Sequence, residues 1–142
     1  MAKSTEELRH EIKSATDIED YLKSNRGSLN RDSLPRHLKH LLSEKGISKA
    51  DVARDSLLDR TYTYQIFSGK KNPSRNKLIS LAFGLHLSDE ETQTLLKISV
   101  NRELYAKDAR DAVILFALQH GMSVFETNEL LFKHGFEVLG LS

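Results

Sequence analysis

The chain has 142 residues, of which 39% are hydrophobic and 29% are charged, and its formal net charge is +1. This length and balance are typical of one globular domain, or of one small domain with appendages. Cysteine is absent, which excludes disulfide bonds and thiolate zinc sites, and no apolar run reaches the roughly 18 residues of a membrane span. The first residues lack the apolar core of a secretory signal, so we expect a cytoplasmic protein without a membrane partner.

The small net charge conceals an uneven distribution along the chain. Residues 34–77 contain ten basic and four acidic residues, a net charge of +6, whereas residues 1–33 carry −1 and residues 78–142 carry −4. A basic middle between acidic flanks indicates a surface that binds a polyanion. Chance clustering of charges on a solvated surface is an equally good interpretation of the charge pattern alone.

Helical periodicity runs throughout the chain and alternating β patterns are absent, so we predict an all-α protein. Residues 1–33 are expected to form N-terminal accessory helices. The first is a weakly amphipathic helix that ends at about Ala15. The second begins at an N-cap at Thr16, where Glu19 completes a capping box, and a loop over residues 25–33 follows it.

Residues 34–98 are predicted to form the central domain. Its first helix begins at Leu34-Pro35 and ends before Gly46, because proline is tolerated in a first helical turn and glycine is favoured just after the last. The next three helices are predicted from their capping residues, Ser48, Asp59 and Ser74, and cover residues 49–56, 60–67 and 75–85.

Residues 75–97 and 110–132 share a pattern at a constant offset of 35 residues. S-x-x-E-T-x-x-L-L occurs in both copies, beginning at Ser88 and at Ser123. Each copy has the pattern of a helix, a tight turn and a capped helix. A helical hairpin cannot bury its apolar face alone, so we predict that residues 99–142 form a C-terminal hairpin that echoes the preceding one and supports dimerisation or partner binding. Chance similarity between helical hairpins is the alternative.

The two short helices between residues 49 and 68 have the lengths and spacing of a helix-turn-helix. In that motif the second helix lies in the DNA major groove, so it must be apolar on one side and rich in hydrogen-bonding groups on the other. The helix at residues 60–68 has this pattern. Leu58 and Ile66 are expected to point inward. The side chains left for the outside are Arg60, Thr61, Tyr64, Gln65 and Ser68.

The stretch ISKADVARDSLLDRTYTYQIFSGKKNPSRNKLISLAFGLHLS resembles the DNA-binding domain of the Cro/lambda-repressor-like, or Xre, family of prokaryotic and phage regulators. The resemblance covers about Leu34–Lys97. Its most specific features are Ala53, the S-G-K-K-x-P that follows the second helix, and the G-L-x-L-S that ends the next one. The resemblance implies a lambda-repressor-like helix-turn-helix domain in a sequence-specific transcriptional regulator, a repressor, that binds double-stranded DNA.

The resemblance also implies roles for individual residues. Base contacts are expected from the recognition helix, at Arg60, Thr61, Tyr62, Gln65 and Ser68. Phosphate contacts are expected from the start of the first helix and from the segment after the second, at Lys49, Lys70, Lys71, Asn72, Ser74 and Arg75. The chemistry agrees, since arginine can make a two-point contact with guanine and glutamine with adenine. Either Tyr62 or Tyr64 is expected to touch DNA while the other joins the core.

Two positions depart from the family pattern. Leu57 stands at the turn where the family usually has glycine, which predicts either a different turn or a leucine in strained left-handed backbone. Thr63 stands where the family has an aliphatic residue. Inward packing of this helix is therefore expected from Tyr62, Ile66 and Phe67.

Other chemistries have little support in the sequence. His37 and His40 are spaced to share a metal, but without further ligands we interpret them as surface or core-edge histidines. A catalytic role for Tyr62 in strand joining would need a surrounding Arg/His constellation that is not visible. We find no Gly-rich phosphate loop and no catalytic triad, so we expect no enzymatic activity, no metal and no cofactor.

Two partners other than DNA are considered. The segment Asp108–His120 is apolar nearly all round, which indicates a buried helix or one shared with a partner. We predict a homodimer, because one such domain reads only a few base pairs and a two-fold dimer doubles the number of base pairs that are read. The alternative function is a protein-interaction module on the same fold, with weak or no DNA binding and a protein partner on the C-terminal helices.

Overall fold

The computed structural model describes residues 4–14, 17–19, 21 and 33–140. This part of the chain is helical and contains no strand, which confirms the prediction of an all-α protein. None of its helices is both long and apolar enough to cross a membrane. The predicted cap at Thr16 and the predicted loop, apart from Ser33, lie outside the described residues.

The structure describes the following helices. In chain order they are α1 (Thr5–Ser14), α2 (Ser33–Lys45), α3 (Lys49–Ser56), α4 (Arg60–Ser68), α5 (Arg75–Gly84), α6 (Asp89–Ile98), α7 (Ala109–Gln119) and α8 (Val124–Lys133). The bounds of α2 to α5 lie within one residue of those predicted from the caps and glycines. Helix ends in this region are therefore determined by local sequence.

A serine or aspartate side chain begins each helix from α3 to α8. In every case its oxygen accepts a hydrogen bond from the backbone N–H of the third helical residue. Such a cap stabilises a helix by about 1 kcal/mol because it satisfies an N–H that has no partner within the helix. The caps are Ser48, Asp59, Ser74, Ser88, Asp108 and Ser123.

Helix α5 lies at the centre of the fold. Every residue from Leu78 to Gly84 is buried. Helix α3 packs closely across it, since a Cβ added at Gly84 would lie 2.6 Å from the Val52 carbonyl oxygen. Helix α2 packs against α4 and α6, so α2, α3 and α4 together cover one side of the α5–α6 hairpin.

The α7–α8 hairpin covers the other side. Helix α8 packs against α5, and α7 packs against α6. Equivalent residues of the two hairpins are buried alike, since Ile79 and its counterpart Ile114 are both fully buried, as are Ala82 and Ala117. The first helix of each hairpin packs against the second helix of the other, in the manner of two units related by an approximate two-fold axis.

The 35-residue correspondence extends from the sequence to the hydrogen bonds. Gln93 donates to the Leu104 carbonyl at 2.8 Å and accepts from its N–H at 2.7 Å. Asn128 makes the same pair of bonds with Leu139, at 2.9 and 2.8 Å. Each amide side chain thus holds the segment that follows its own hairpin.

Candidate nucleic-acid interface

The inward side of α4 is closely packed. Thr63, Ile66 and Phe67 are fully buried. The sequence did not place Thr63 inside, but its hydroxyl donates to the Asp59 carbonyl at 2.8 Å, so the buried polar group is satisfied within the helix. Tyr62, which was expected to pack in place of Thr63, is only partly buried at the edge of the core.

The outward side of α4 is a polar stripe. Thr61, Tyr64, Gln65 and Ser68 follow the i, i+3, i+4, i+7 spacing of one helix face, and all are exposed or half-buried. Arg60 is exposed beside them, and its Nε donates to the Tyr64 hydroxyl at 3.3 Å. The stripe presents guanidinium, hydroxyl and amide groups, which are the groups that read base edges in the major groove.

The two tyrosines of α4 occupy different positions. Tyr64 lies on the outward stripe and is 38% exposed, with the Arg60 guanidinium 5.5 Å from its ring centroid. Tyr62 lies against the core, with the Lys77 ammonium 5.3 Å from its ring centroid. Tyr64 was absent from the base-contacting residues expected from the sequence, because spacing alone did not show which tyrosine packs inward.

The turn between α3 and α4 holds its leucine in left-handed backbone. Leu57 has φ 60° and ψ 26°, and its N–H donates to the Arg54 carbonyl at 3.3 Å. Its side chain is 51% exposed, whereas that of Leu58 is buried. Of the two possibilities left open by the sequence, the structure therefore shows the left-handed turn with leucine in the position that favours glycine.

The segment after α4 is exposed but its backbone is fixed. The N–H groups of Lys70 and Lys71 donate to the Gln65 carbonyl at 2.9 and 3.2 Å, which closes the end of α4. Both side chains and that of Asn72 are exposed, while Pro73 is buried. Among the described residues neither ammonium has a carboxylate within 4.0 Å, so both charges are available at the C-terminal end of the α4 stripe.

The other side chains expected to contact phosphate occupy two different settings. Ser74 is exposed, but its hydroxyl accepts from the Lys77 N–H at 3.4 Å as the cap of α5. Lys49 opens α3 and is half-buried, with its ammonium 5.9 Å from the Phe67 ring centroid. Both lie next to α4 or to the segment that follows it.

Arg75 has a structural role in place of the expected phosphate contact. Its Nε donates to the Arg102 carbonyl at 2.7 Å, and its two terminal nitrogens form a two-point bond with the Asp111 carboxylate at 3.2 and 2.9 Å. Asp111 is 1% exposed and the Arg75 side chain is 18% exposed, so the pair is largely buried. The guanidinium is held between the two hairpins and is not available to a phosphate, which removes Arg75 from the expected set.

Ion pairs also neutralise other cations of the basic middle segment. Lys45 pairs with Glu91 at 2.9 Å, and Arg54 pairs with Asp55 at 3.0 Å. The Arg54 hydrogen bond holds the pKa of Asp55 below its usual range.

The paired histidines of α2 have different surroundings. His40 Nε2 lies 2.8 Å from a Glu44 carboxylate oxygen, and burial, followed by the nearby His40, lowers the pKa of His37. No group of three potential ligands occurs among the residues that the structure describes.

Comparisons with known proteins do not assign the chain to a family. No protein-family profile matches the sequence, and neither the curated proteins nor the solved structures contain a significant match. A function for this chain must therefore be inferred from the geometry of its own surface.

Proposed function

We propose that this protein is a sequence-specific regulator of transcription that binds double-stranded DNA and acts as a repressor. Helices α3 and α4 serve as its helix-turn-helix, in a lambda-repressor-like domain of the Cro/lambda-repressor (Xre) type that the sequence resembles. The observation that carries the proposal is the outward stripe of α4, which continues directly into two lysines that have no carboxylate partner among the described residues.

The stripe suits the floor of the major groove. The inward side of α4 is buried and its N-terminus is capped by Asp59, so the helix holds its outward side chains in fixed positions. Thr61 and Gln65 are one turn apart and both face outward, with Arg60 beside the first turn. In this proposal those three residues and Ser68 read base edges, and Tyr64 takes the role that the sequence had left open between the two tyrosines.

The flanking groups suit the phosphate backbone. Lys70, Lys71 and Asn72 lie at one end of α4, and Ser74 follows them at the start of α5. Lys49 lies at the start of α3, close to Phe67 of α4. Contacts of this kind supply most of the affinity for duplex DNA and position the reading helix, but they do not depend on base sequence.

The proposal is tested by selecting binders from a random-sequence duplex library and titrating the winner with salt. Binding should weaken steeply as salt rises, with a slope of about 0.9 per phosphate contact. The double change Lys70→Ala/Lys71→Ala should lower affinity for every sequence. It should also reduce the salt slope by the amount expected for the loss of about two phosphate contacts. Gln65→Ala should instead relax preference at one base position, at a cost of about 1–3 kcal/mol.

The matched control is Lys97→Ala/Lys107→Ala. It removes the same charge from exposed lysines of the acidic C-terminal part, so its effect on the salt slope should be small. If no duplex in the library binds even at low salt, the proposal is wrong. The protein-interaction module then becomes the better explanation of the exposed side of α4.

A further inference from the structure

The second hairpin carries an apolar surface that nothing in the described chain covers. Val113 and Phe116 of α7, Leu130 of α8, and the histidines that follow these helices, His120 and His134, form this side, which we call the outer surface. A groove of about 390 Å³ runs between the two helices, and Phe116 is 48% exposed within it. The ring of His120 stacks on Phe116 with centroids 4.0 Å apart.

The same surface of the first hairpin is a helix-packing surface. Four of the five residues 35 positions earlier are the fully buried Leu78, Leu81, Leu85 and Leu95, and the fifth is the half-buried Ser99. The leucines are buried because α3 packs on α5 and α2 packs on α6. In the first hairpin, this side is therefore covered by helices. In the second hairpin, Val113, Phe116 and Leu130 keep the side apolar, and no helix of the described chain covers it.

The charges beside the outer surface would be complementary to those of a second copy of the chain. Glu126 and Lys133 are both exposed and lie on either side of Leu130 along α8. They are seven residues apart, which is two helical turns or about 10 Å. If two copies of α8 cross antiparallel near Leu130, Glu126 of each copy faces Lys133 of the partner subunit. A two-fold interface requires such self-complementarity, because the same patch occurs on both sides.

We propose that a second copy of this chain docks on the outer surface and forms a two-fold dimer with antiparallel α8 helices. Helix α1 is a poor occupant, because its only apolar residues are Leu8 and Ile12. Helix α4 packs against α2 and α3 in a different layer, so its outward stripe stays open in each copy. The dimer does not depend on DNA, so its test is separate from that of the proposed function.

The first test is the molar mass of the full chain without DNA, measured by sedimentation over a range of concentrations. The wild type should be a dimer at high concentration, and Phe116→Glu should raise the dissociation constant at least about tenfold. Phe132→Glu is the matched control. Its side chain is 80% exposed on the opposite side of α8, so the change should leave the dimer intact.

The second test probes the antiparallel register. Glu126→Lys alone places lysine opposite lysine, and Lys133→Glu alone places glutamate opposite glutamate, so each should weaken the dimer about threefold to tenfold. An equimolar mixture of these two variants should form a heterodimer of restored affinity, since every facing pair is again opposite in charge. Circular dichroism melting of each variant checks that the fold is retained.

Three results would overturn the proposal. One is a wild type that stays monomeric at every concentration reached. Another is a dimer that Phe132→Glu disrupts and Phe116→Glu does not. The third is a mixture of the two charge variants that remains as weak as either variant alone, which would rule out the antiparallel pairing.

Discussion

At the scale of single residues, Leu57 shows how a turn can be kept at an energetic cost. The left-handed backbone brings Cβ too close to the following carbonyl, at a cost of roughly 1–2 kcal/mol for a residue other than glycine. Its half-exposed side chain recovers little of this by packing. The turn is nevertheless retained, because the buried Leu58 and Asp59, the cap of α4, follow at once.

We predict that Leu57→Gly stabilises the protein. Relief of backbone strain outweighs the extra flexibility of glycine in the unfolded chain, which costs about 0.5–1 kcal/mol, so the free energy of unfolding should rise by about 0.5–1 kcal/mol. Urea denaturation measures the change. Leu57→Ala keeps the Cβ and so keeps the strain. An equal gain in the alanine variant would show that the exposed side chain, and not the backbone, was the source of the cost.

Single residues also show where the sequence was insufficient. Leu57 could be singled out because φ above zero is a local property with a known residue preference. Thr63 could not, because a threonine in the core depends on whether its hydroxyl finds a carbonyl one turn earlier, as it does at Asp59. The same limit applies to the tyrosines, whose order in the sequence allows either to face inward.

At the scale of helices, the Arg75–Asp111 pair joins the two hairpins asymmetrically. Arg110 is the counterpart of Arg75, and its Nε donates to the Glu137 carbonyl at 3.0 Å as that of Arg75 does to Arg102. The counterpart of Asp111, however, is Asn76, which carries no charge. Nη2 of Arg110 is buried and has no hydrogen-bond partner among the described residues. Of these two equivalent positions, only Asp111 supplies a carboxylate to the contact between the hairpins.

We predict that Asp111→Ala destabilises the protein by about 3–5 kcal/mol, because it leaves the Arg75 guanidinium in the fold without its counter-ion. Asp111 also accepts from the Tyr105 N–H at 3.0 Å, which adds to the loss. Thermal and urea unfolding measure the effect. Glu137→Ala removes an exposed carboxylate near the counterpart arginine and should cost much less. Similar losses in both variants would mean that the buried pair has no special weight.

A capping box predicts a pH dependence at the start of α6. The pKa of Glu91 is lowered, first by the hydrogen bond from the Ser88 N–H and then by Lys45. A carboxyl with a lower pKa in the folded state stabilises the fold above the usual glutamate range, and this stability is lost as pH falls through the lowered pKa. Glu91→Gln should therefore be less stable than the wild type near neutral pH and should lose less stability on acidification.

Urea unfolding between neutral pH and pH about 3 measures this difference. Glu90→Gln removes the neighbouring carboxylate of the same first turn without touching the capping box, and it serves as the control. If both variants respond to acid in the same way, the box does not account for the dependence.

At the scale of the whole molecule, the sequence predicted what is local and repeated. Caps and periodicity determine helix ends within a few residues, and the 35-residue offset identified two similar hairpins. The sequence could not show that the hairpins face each other, and so Arg75 was assigned to phosphate when its partner lay 36 positions away at Asp111. It also indicated that the segment Asp108–His120 was apolar nearly all round, without showing which side the fold leaves uncovered.

The two proposals together predict how dimerisation affects DNA binding. A dimer carries two α4 helices, so a duplex with two copies of the selected sequence in two-fold arrangement should bind more tightly than a duplex with one. The second contact is then intramolecular and benefits from a high effective concentration. Phe116→Glu should lose about tenfold or more on the two-copy duplex and almost nothing on the single-copy duplex, as measured by fluorescence anisotropy.

The single-copy duplex separates an effect on dimerisation from a direct effect on DNA binding by α4. Phe116 lies on the outer surface, two helical layers from α2–α4, so it should not affect the reading stripe directly. Phe132→Glu should bind both duplexes like the wild type. Equal losses on both duplexes for Phe116→Glu would show that the change disturbs α4 itself. No loss on either, in a variant shown to be monomeric, would mean that each chain binds DNA alone and that the dimer serves another purpose.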